Sequence, residues 1–522
     1  MKDPVIRRAL ISVSNKLGLT DFAHGLTSAG VAIYSTGGTR RHLEQAGIEV
    51  NDVADYTGFP EMLDGRLKTL HPKIFGGLLA RLDRADDLEA LDEYEIVPFG
   101  LVVVNLYPFE ATISRPGVTA EEAIEQIDIG GPSLIRAAAK NHAFVTVATN
   151  PEQYSAILEE VMRQGCTSFA LRRRLAGDAF ARTAEYDRAI AGYFAEDSDQ
   201  GNFPALLSLS LRRKAVLRYG ENPHQQAALY ADPNSRGAHL VSARQLNGKE
   251  LSYNNLLDLD SALAMVRSLR RPAAVVIKHN NPCGAAMGDT LCQAAEKALL
   301  GDPVSAFGSV IGFNRCVDEA TAEYLCTPGL FVEAIVAPDY EAAAVGILTT
   351  RPKWKNNVRL MQVGRLEDLP SRYQLRHLDG GLLVQDSDTA EDHETNWQVV
   401  TRRRPSDAEL VELRFAWSMV RHVKSNAIVL SRNLALCGVG AGQMSRVDSV
   451  EIAIRKAGDR ASGSVMASDA FFPFPDSIDQ AAAAGIRAVI QPGGSRNDDE
   501  VIAACNQHDV AMILTGRRHF KH

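Results

Sequence analysis

Residues 8–46, RALISVSNKLGLTDFAHGLTSAGVAIYSTGGTRRHLEQA, decide the fold of the amino-terminal part of the chain. The apolar runs 8–13 and 31–35 predict strands, and the stretches 18–30 and 40–46 predict helices. Strands that alternate with helices favour a parallel, doubly wound sheet of the α/β class. Ligands of such sheets usually bind beyond the carboxyl ends of the strands, so we expect functional residues in the loops that follow them.

The loops after the first two strands carry small polar residues that suit a phosphate. Hydroxyls, glycine N–H groups and a lysine at a helix start can cradle one phosphate group. The residues concerned are Ser12, Ser14 and Lys16 in the first loop and Ser35, Thr36, Gly37, Gly38 and Thr39 in the second. Serine and threonine are also ordinary helix caps and glycine an ordinary turn residue, which is the alternative interpretation. Neither loop has the Walker spacing, so an NTPase is not indicated.

Two further segments of this part bring together cations and an acid. Residues 58–73 form a glycine- and proline-bounded loop with Arg66, Lys68, His71 and Lys73, which a solvated surface connection would also explain; Thr69 lies among them. A predicted strand at 100–106 ends at Tyr107-Pro108, where proline cannot continue the ladder. Further on, Asp128 precedes a predicted helix in which Ser133, Arg136 and Lys140 recur on one face at spacings of three and four.

Length and composition indicate a multidomain globular protein. The chain has 522 residues, 45% of them hydrophobic and 23% charged, with a formal net charge of −8. These values are near the averages for globular proteins, and the acidic balance argues against nucleic acid as a partner while leaving room for a local pocket for a small anion.

The cysteine spacing and the lack of a long apolar run indicate where in the cell the protein is expected. The seven cysteines lack the paired short spacing of zinc ribbons or disulfide frameworks, so we expect reduced thiols. The first residues lack a secretory apolar core, and no run reaches the roughly eighteen residues of a membrane span. We therefore expect a cytoplasmic protein that does not associate with a membrane.

A polar segment divides the chain. After a predicted helix at about 168–194, residues 196–202 are polar, and we place the boundary between domains 1–200 and 201–522 there. Within the second domain a charged, irregular stretch at 341–405 separates two predicted lobes. These lobes are about 206–340 and 370–522.

The two lobes carry a short echo. Residues 276–280, VIKHN, resemble residues 422–426, HVKSN, which predicts a duplication, although a chance match of five positions is the alternative. The second copy has Ser425 where the first has His279, so only one lobe is expected to move a proton at this position near neutral pH.

The pair Lys278-His279 is the strongest chemical signal of the second domain. It follows the apolar run 273–277 and precedes the predicted rigid turn 280–284. A histidine beside a fixed cation can take a proton from a weak nucleophile and steady the charge that follows. A strand-end lysine next to a solvated histidine is the bland alternative.

Taken together, these segments resemble the bifunctional purine-biosynthesis family that joins AICAR transformylase to IMP cyclohydrolase. The resemblance covers essentially the whole chain. It is carried by residues 12–16, 35–39, 65–72, 105–109, 128–133, 136–142, 218–225, 251–255, 278–284, 302–308, 424–427, 440–446 and 468–474. It implies a methylglyoxal-synthase-like amino-terminal sheet and a larger domain of two cytidine-deaminase-like α/β lobes.

The resemblance also implies the chemistry. The second domain would transfer the formyl group of 10-formyltetrahydrofolate to AICAR, giving FAICAR, and the first would close FAICAR to IMP. His279 would take the amine proton beside Lys278, and Asn426 would hold the reacting formyl or carboxamide. Lys68, Tyr107, Asp128 and Lys140 would act in ring closure, with Arg66 and Thr69 gripping the substrate. Binding residues implied in the second domain are Arg218, Tyr219, His224, Phe307, Gly308, Glu333, Arg446, Phe471, Phe474, Asp476 and Arg518.

The same resemblance implies a homodimer without a catalytic metal and allows a structural monovalent cation. Three alternatives stay open at this point. The first domain resembles phosphate-sensing regulatory domains and would then only bind. The Pro282-Cys283-Gly284 segment resembles zinc deaminases, but the H-x-E and P-C-x-x-C patterns are missing, so we expect no zinc. Residues 438–442 resemble a dinucleotide loop, but their glycines are out of register.

Overall fold

The computed structural model describes residues 3–196, 203–232, 235–366, 373–389 and 392–522. The chain divides into two compact units, residues 1–210 and 211–522. The sequence-based boundary at 200/201 falls outside the described residues, ten residues before the division between the units.

The first unit is built on a parallel sheet of five strands among its described residues, in the order β3-β2-β1-β4-β5. Its strands are β1 (Arg8–Val13), β2 (Ala32–Ser35), β3 (Val50–Asp52), β4 (Leu101–Asn105) and β5 (Thr146–Ala148). Its helices are α1 (Leu19–Ser28), α2 (Gly37–Gln45), α3 (Val53–Thr57), α4 (Pro72–Leu79), α5 (Ala85–Glu93), α6 (Phe109–Ile113), α7 (Ala120–Glu125), α8 (Gly130–Lys140), α9 (Tyr154–Gln164) and α10 (Phe169–Glu196).

This sheet confirms the predicted doubly wound fold. The strands lie within one residue of the predicted runs, because a central parallel strand such as β4 is buried on both faces and therefore reads as a continuous apolar run. Helix α2 begins three residues before its predicted start. Gly37 and Gly38 are poor helix formers, so the sequence does not predict that they form the first turn of α2. Thr36 is the N-cap residue of this helix.

The second unit contains a mixed sheet of twelve strands in the described chain, in the order β16-β21-β20-β19-β17-β18-β10-β9-β11-β12-β13-β8. Two separate hairpins accompany it, β6 with β7 and β14 with β15. The strands are β6 (Arg212–Leu217), β7 (Ala227–Ala231), β8 (Arg244–Asn247), β9 (Ala273–Lys278), β10 (Asn281–Met287), β11 (Ser309–Phe313), β12 (Val332–Ala337), β13 (Arg359–Gln362), β14 (Tyr373–Leu378), β15 (Gly381–Asp386), β16 (Gln398–Val399), β17 (Ile428–Arg432), β18 (Ala435–Gly440), β19 (Val465–Ser468), β20 (Ala488–Gln491) and β21 (Ala511–Leu514). The helices are α11 (Tyr253–Arg267), α12 (Leu291–Leu299), α13 (Glu319–Leu325), α14 (Ala342–Thr350), α15 (Asp407–Val420), α16 (Arg446–Ala457), α17 (Asp476–Ala483) and α18 (Asp498–Gln507).

The order of this sheet shows that its two halves are copies. In each half a helix is followed by an antiparallel hairpin, and three helix–strand pairs then follow. The halves meet through β10 and β18, whose pairing is confined to Ala286 and Ala435. The duplication predicted from sequence is therefore present as a mirrored strand order.

The register of the predicted repeat was wrong, however. Lys278 ends β9, and its topological counterpart is Arg432 at the end of β17. Lys424 and Asn426 instead precede β17. Residues 276–280 therefore lie at the end of β9, whereas residues 422–426 lie before the start of the equivalent strand β17.

Two other predictions for this unit were also wrong. Residues 281–287 form β10 instead of the predicted rigid turn, and the sheet accommodates Pro282 because the ladder to β9 shifts register between Pro282 and Gly284. Residues 342–350 and 359–362 of the supposedly irregular stretch are α14 and β13 of the first lobe. Of the residues that suggested irregularity, 353–357 lie in the loop between them and 386–388 at the end of β15.

Candidate active sites

The loop after β1 is fixed at the carboxyl edge of the first sheet by Asn105, the last residue of β4. Its Oδ1 accepts hydrogen bonds from the backbone N–H groups of Ser14 and Asn15, at 2.6 and 2.8 Å. Its Nδ2 donates to the Asn15 carbonyl at 2.9 Å. A polar residue ending an apolar strand was the available signal for Asn105, which the sequence analysis did not single out.

The hydroxyls of Ser35 and Thr39 are used inside the sheet. Ser35 Oγ donates to the Ile11 carbonyl at 2.7 Å, and Thr39 Oγ1 bonds both the N–H and the carbonyl of Val13 at 3.1 and 3.0 Å. Both residues are buried. These bonds tie the start of α2 to the end of β1, so the two hydroxyls shape the predicted phosphate loops.

A cavity of about 320 Å³ opens beside the start of α2, and Lys68 is among its lining residues. The Lys68 ammonium lies 2.8 Å from Glu61 Oε1. It would lie 3.5 Å from a Cβ built on Gly37, whose φ of +47° also favours glycine. Arg40 and Arg41 add positive charge to the same cavity, which Asp52 and Glu61 also line, and Arg40 pairs with Asp52; the lining keeps a net positive charge. The arrangement suits an anion.

Asp128 lies at the start of α8, with its carboxylate partly enclosed. Burial raises the pKa of this carboxyl above its ordinary value, while backbone hydrogen bonds from Gly131 and Tyr107 and the charge of Lys68 act in the opposite direction. The Gly131 bond measures 2.8 Å. Thr69 Oγ1 lies 3.2 Å from a Cβ position on Gly130, so the structure brings Asp128 close to Lys68 and Thr69.

Lys140 lies elsewhere. It is the last of the eleven residues of α8, which places it about 15 Å along the helix axis from Gly130. The helix runs from the carboxyl edge of the sheet back to the amino edge, where Thr146 pairs with Leu101. The structure therefore does not bring Lys140 to Asp128. Arg66 is exposed and forms an ion pair with Glu125.

In the second unit the Lys278-His279 pair lies at a tight hairpin. His279 and Asn280 are its two central residues, with φ of 52° and 60°, and Asn281 pairs with Lys278 across it. The Lys278 ammonium donates to the carbonyls of Phe307 and Gly308, both at 3.1 Å. The cation is thus fixed, and the His279 side chain is exposed.

The hairpin lies beside a cavity where the two lobes diverge. This cavity, about 190 Å³ in volume, is lined by residues of both half-sheets, including Lys278, Asn281 and Val439. Asn281 links the lobes, because its Oδ1 accepts from the Lys424 N–H at 3.1 Å and its Nδ2 donates to the His279 carbonyl at 3.2 Å.

Asn426 is held by the loop that precedes α16. Its Nδ2 donates to the carbonyls of Gln443 and Met444 at 3.0 and 3.2 Å, and its Oδ1 accepts from Arg446 Nη2 at 3.0 Å. The side chain is therefore oriented before any substrate arrives.

Arg446, which was predicted to bind substrate, is buried and does not line an open pocket. It forms a 2.5 Å ion pair with Asp469, which is fully buried, and donates to Ser468 Oγ at 2.7 Å. Asp469 also accepts a hydrogen bond from the Ser425 hydroxyl. Asp469 was not predicted as a site residue, because its partner Arg446 lies 23 residues earlier and no local pattern marks the carboxylate.

The remaining predicted binding residues are spread over loops and strand ends of the second unit. Arg218 stacks over the Tyr219 ring at 5.2 Å, and Arg518 over Phe520 at 4.4 Å. Glu333 forms an ion pair with the buried Arg359. His224 and the rings of Phe307, Phe471 and Phe474 are exposed, and Asp476 begins α17.

The carboxyl-terminal segment is anchored by His519, which is 1% exposed. Its Nδ1 lies 2.6 Å from Asp388 Oδ2 and its Nε2 3.2 Å from Asp392 Oδ2. Burial alone would lower the pKa of His519, but these two hydrogen bonds raise it above 6.5. Two residues further on, the Lys521 carbonyl accepts a hydrogen bond from the Ser425 N–H at 3.0 Å.

Fold and sites together define a two-domain α/β enzyme with one candidate active site in each unit. Residues 18–133 match the MGS-like domain family, and residues 138–456 match the AICARFT/IMPCHase bienzyme family. In the part of the chain that the structure describes, no helix has the length and apolarity needed to cross a bilayer.

Full-length relatives carry the same match. The chain is 64% identical to the bifunctional purine biosynthesis protein PurH of Rhodopirellula baltica, over 100% of both chains. It is 51% identical to the PurH protein of Desulfitobacterium hafniense and 50% identical to that of Magnetococcus marinus, over 99% of this chain in both cases and 100% and 99% of theirs. The chain belongs to the AICAR formyltransferase/IMP cyclohydrolase bienzyme family, whose two activities are the last two steps of purine biosynthesis. Membership implies a folate cosubstrate and confirms the bifunctional prediction over a purely regulatory first domain.

Proposed function

We propose that His279 is the general base of formyl transfer from 10-formyltetrahydrofolate to AICAR. The AICAR amine is a poor nucleophile, because its ring and the neighbouring carboxamide withdraw its lone pair. As the amine nitrogen attacks the formyl carbon, His279 accepts the amine proton; the bond from that carbon to the folate nitrogen then breaks, and that nitrogen is reprotonated. The observation that carries this assignment is the exposed His279 at a hairpin next to the cavity between the lobes.

Lys278 supplies the charge that this step needs. Its ammonium is held by the Phe307 and Gly308 carbonyls, so it does not have to reorganise as the tetrahedral oxyanion forms. Asn426 holds the formyl or carboxamide group, supported by its own fixed partners Gln443 and Arg446.

For ring closure we propose that Asp128 and Lys68 are the main polar groups. The carboxamide nitrogen attacks the formamide carbon within one molecule, so positioning supplies much of the acceleration. Burial raises the pKa of Asp128, which suits a carboxyl that exchanges protons, and Lys68 steadies developing negative charge. Thr69 and Tyr107 complete this set. Lys140, about 15 Å along the axis of α8 from Gly130, is not assigned to the reacting group.

The binding roles follow the same proposal. In the first unit the substrate phosphate is held by residues of the loops after β1 and β2 and by Arg66. In the second unit the nucleotide and folate are held by residues of the loops described above. These residues are Ser12, Ser14, Lys16, Thr36, Gly37, Gly38, Arg218, Tyr219, His224, Phe307, Gly308, Glu333, Phe471, Phe474, Asp476 and Arg518, with Ser35, Thr39 and Arg446 shaping the pockets.

We further propose a cytoplasmic homodimer. The β14–β15 hairpin belongs to neither large sheet and exposes Leu375, Leu378, Leu382 and Leu383, each by 45% or more. Burying such a leucine-rich hairpin against a second copy would remove this apolar surface from water. The free cysteines agree with a reducing compartment.

The test separates the two activities in one assay. Supplied with AICAR and 10-formyltetrahydrofolate, His279→Ala should form no FAICAR, although it should still close added FAICAR to IMP. Asp128→Ala should show the reverse pattern and accumulate FAICAR. Wild-type rates of FAICAR formation in His279→Ala would refute the proposed base.

A further inference from the structure

The two hairpins of the duplicated unit are supported in the same way. Helices α11 and α15 both begin with a capping box, at Ser252 and Ser406, 154 residues apart. The same offset separates Asp258 of α11 from Glu412 of α15, and it separates the hairpin residues that these two carboxylates contact. The correspondence is therefore residue for residue.

Each carboxylate accepts the backbone N–H of the second turn residue. Asp258 Oδ1 lies 2.7 Å from Asn280 N, and Glu412 Oε1 lies 2.5 Å from Leu434 N. All four central turn residues have positive φ, between 52° and 60°. Side chains other than glycine resist this conformation, so a charge-assisted bond to the turn amide helps to hold it.

The hairpins differ in what they carry. The first turn presents His279, whereas the equivalent position of the second is Asn433, which cannot act as a base near neutral pH. The support is thus common to both copies, and only the first copy carries a histidine in its turn, between the cavity-lining residues Lys278 and Asn281.

We propose that Asp258 is a positioning residue for His279 in formyl transfer, and this inference rests on the proposed role of His279 as base. Asp258 holds the turn from the helix side by the Asn280 amide. Asn281 holds it from the other side by the His279 carbonyl, at 3.2 Å. With both bonds in place, the direction in which the His279 side chain leaves the turn is fixed.

The duplication supplies a matched control for the experiment. Asp258→Ala and Glu412→Ala each remove one carboxylate from one turn. Glu412→Ala also removes the acceptor of the buried Ser431 hydroxyl, so it should lower the unfolding temperature of the intact enzyme at least as much as Asp258→Ala. Formyl transfer should separate them. We expect kcat of Asp258→Ala to fall on the order of 10²-fold, the loss that displacement of a reacting group by about 1 Å can cause. The KM for AICAR should change little, and kcat of Glu412→Ala should stay within about twofold of the wild type.

A conservative variant distinguishes position from charge. The Asn side chain in Asp258→Asn keeps an oxygen that can accept the Asn280 N–H, so most of kcat should return. Asp258→Ser, which is too short to reach, should behave as Asp258→Ala and provides a second deletion if the alanine variant is poorly folded. Cyclohydrolase activity on added FAICAR reports the integrity of the chain in every variant.

Equal kcat values for Asp258→Ala and Glu412→Ala, with His279→Ala inactive, would overturn the positioning role while leaving the base intact. An active His279→Ala would instead overturn the proposed function itself. A large rise in KM without a fall in kcat would also count against the inference, because it would assign Asp258 to substrate binding.

Discussion

Removing the Asp469 carboxylate should destabilise the second unit far more than breaking an exposed ion pair of the same unit. The Arg446 side chain is 5% exposed and the Asp469 side chain 0%, so Asp469→Ala leaves a buried guanidinium without its counter-ion. Breaking such a pair costs about 3–5 kcal/mol. Arg446 keeps the neutral acceptors Ser468 Oγ and Asn426 Oδ1, which favours the lower part of this range. The Ser425 hydroxyl loses its acceptor and adds about 1 kcal/mol.

The expected total is about 4 kcal/mol, which corresponds to a fall of roughly 8 °C in the unfolding transition of a large unit. Differential scanning calorimetry of the whole chain measures it. Asp289→Ala is the matched control, since it breaks the exposed Arg271 pair, whose side chains are 48% and 80% exposed, and should cost less than about 1 kcal/mol. An unfolding temperature of Asp469→Ala within 2 °C of that of Asp289→Ala would refute the reasoning. Wild-type formyl transfer in Asp469→Ala would also count against it, because Arg446 would then hold Asn426 without its counter-ion.

The remaining predictions concern titration and the first unit. The stabilisation that His519 gains from Asp388 and Asp392 should be fully present between about pH 3.8 and 6.5, because the pKa of His519 is raised and those of both carboxyls are lowered on folding. It should be lost as the pH rises through the raised pKa of His519, so the difference in unfolding temperature between wild type and His519→Gln should shrink above pH 6.5; a constant difference would contradict this. In ring closure, Lys68→Ala should lose about 10²-fold in kcat, because Lys68 lies beside Asp128. The fall in kcat of Lys140→Ala should be smaller. Equal falls in the two variants would show that Lys140 contributes as much to ring closure as Lys68.

Hydrophobic periodicity was sufficient to place β1, β2 and β4 of the first unit, whereas the three-residue strands β3 and β5 were not predicted. Strand β4 is a single apolar run, and Tyr107-Pro108 ends it as expected. Periodicity failed at β10, since Pro282 and Gly284 are turn residues locally and only the register shift opposite β9 makes them compatible with a strand. Such a shift is a property of the sheet and leaves no trace in the segment itself.

The candidate sites divide in the same way. Lys278 and His279 could be singled out because adjacent residues carry the signal. Asp258 could not, because its partner Asn280 lies 22 residues away along the chain. For Lys140, helical spacing places it on a shared face with Arg136 but says nothing about its distance from Asp128, and its part in ring closure stays a prediction. A sequence pattern shows which residues share a face of a helix, but only the folded structure shows which end of the helix lies near the site.

The single pairing between β10 and β18 has a consequence for how the larger unit could have arisen. Two separate copies of one six-stranded module would associate through this edge as a symmetric pair, and each hairpin would face the same surface of the other copy. Fusion into one polypeptide removes that equivalence. One junction can then specialise in proton transfer while its counterpart keeps only a scaffolding task, which a symmetric assembly of identical modules could not separate.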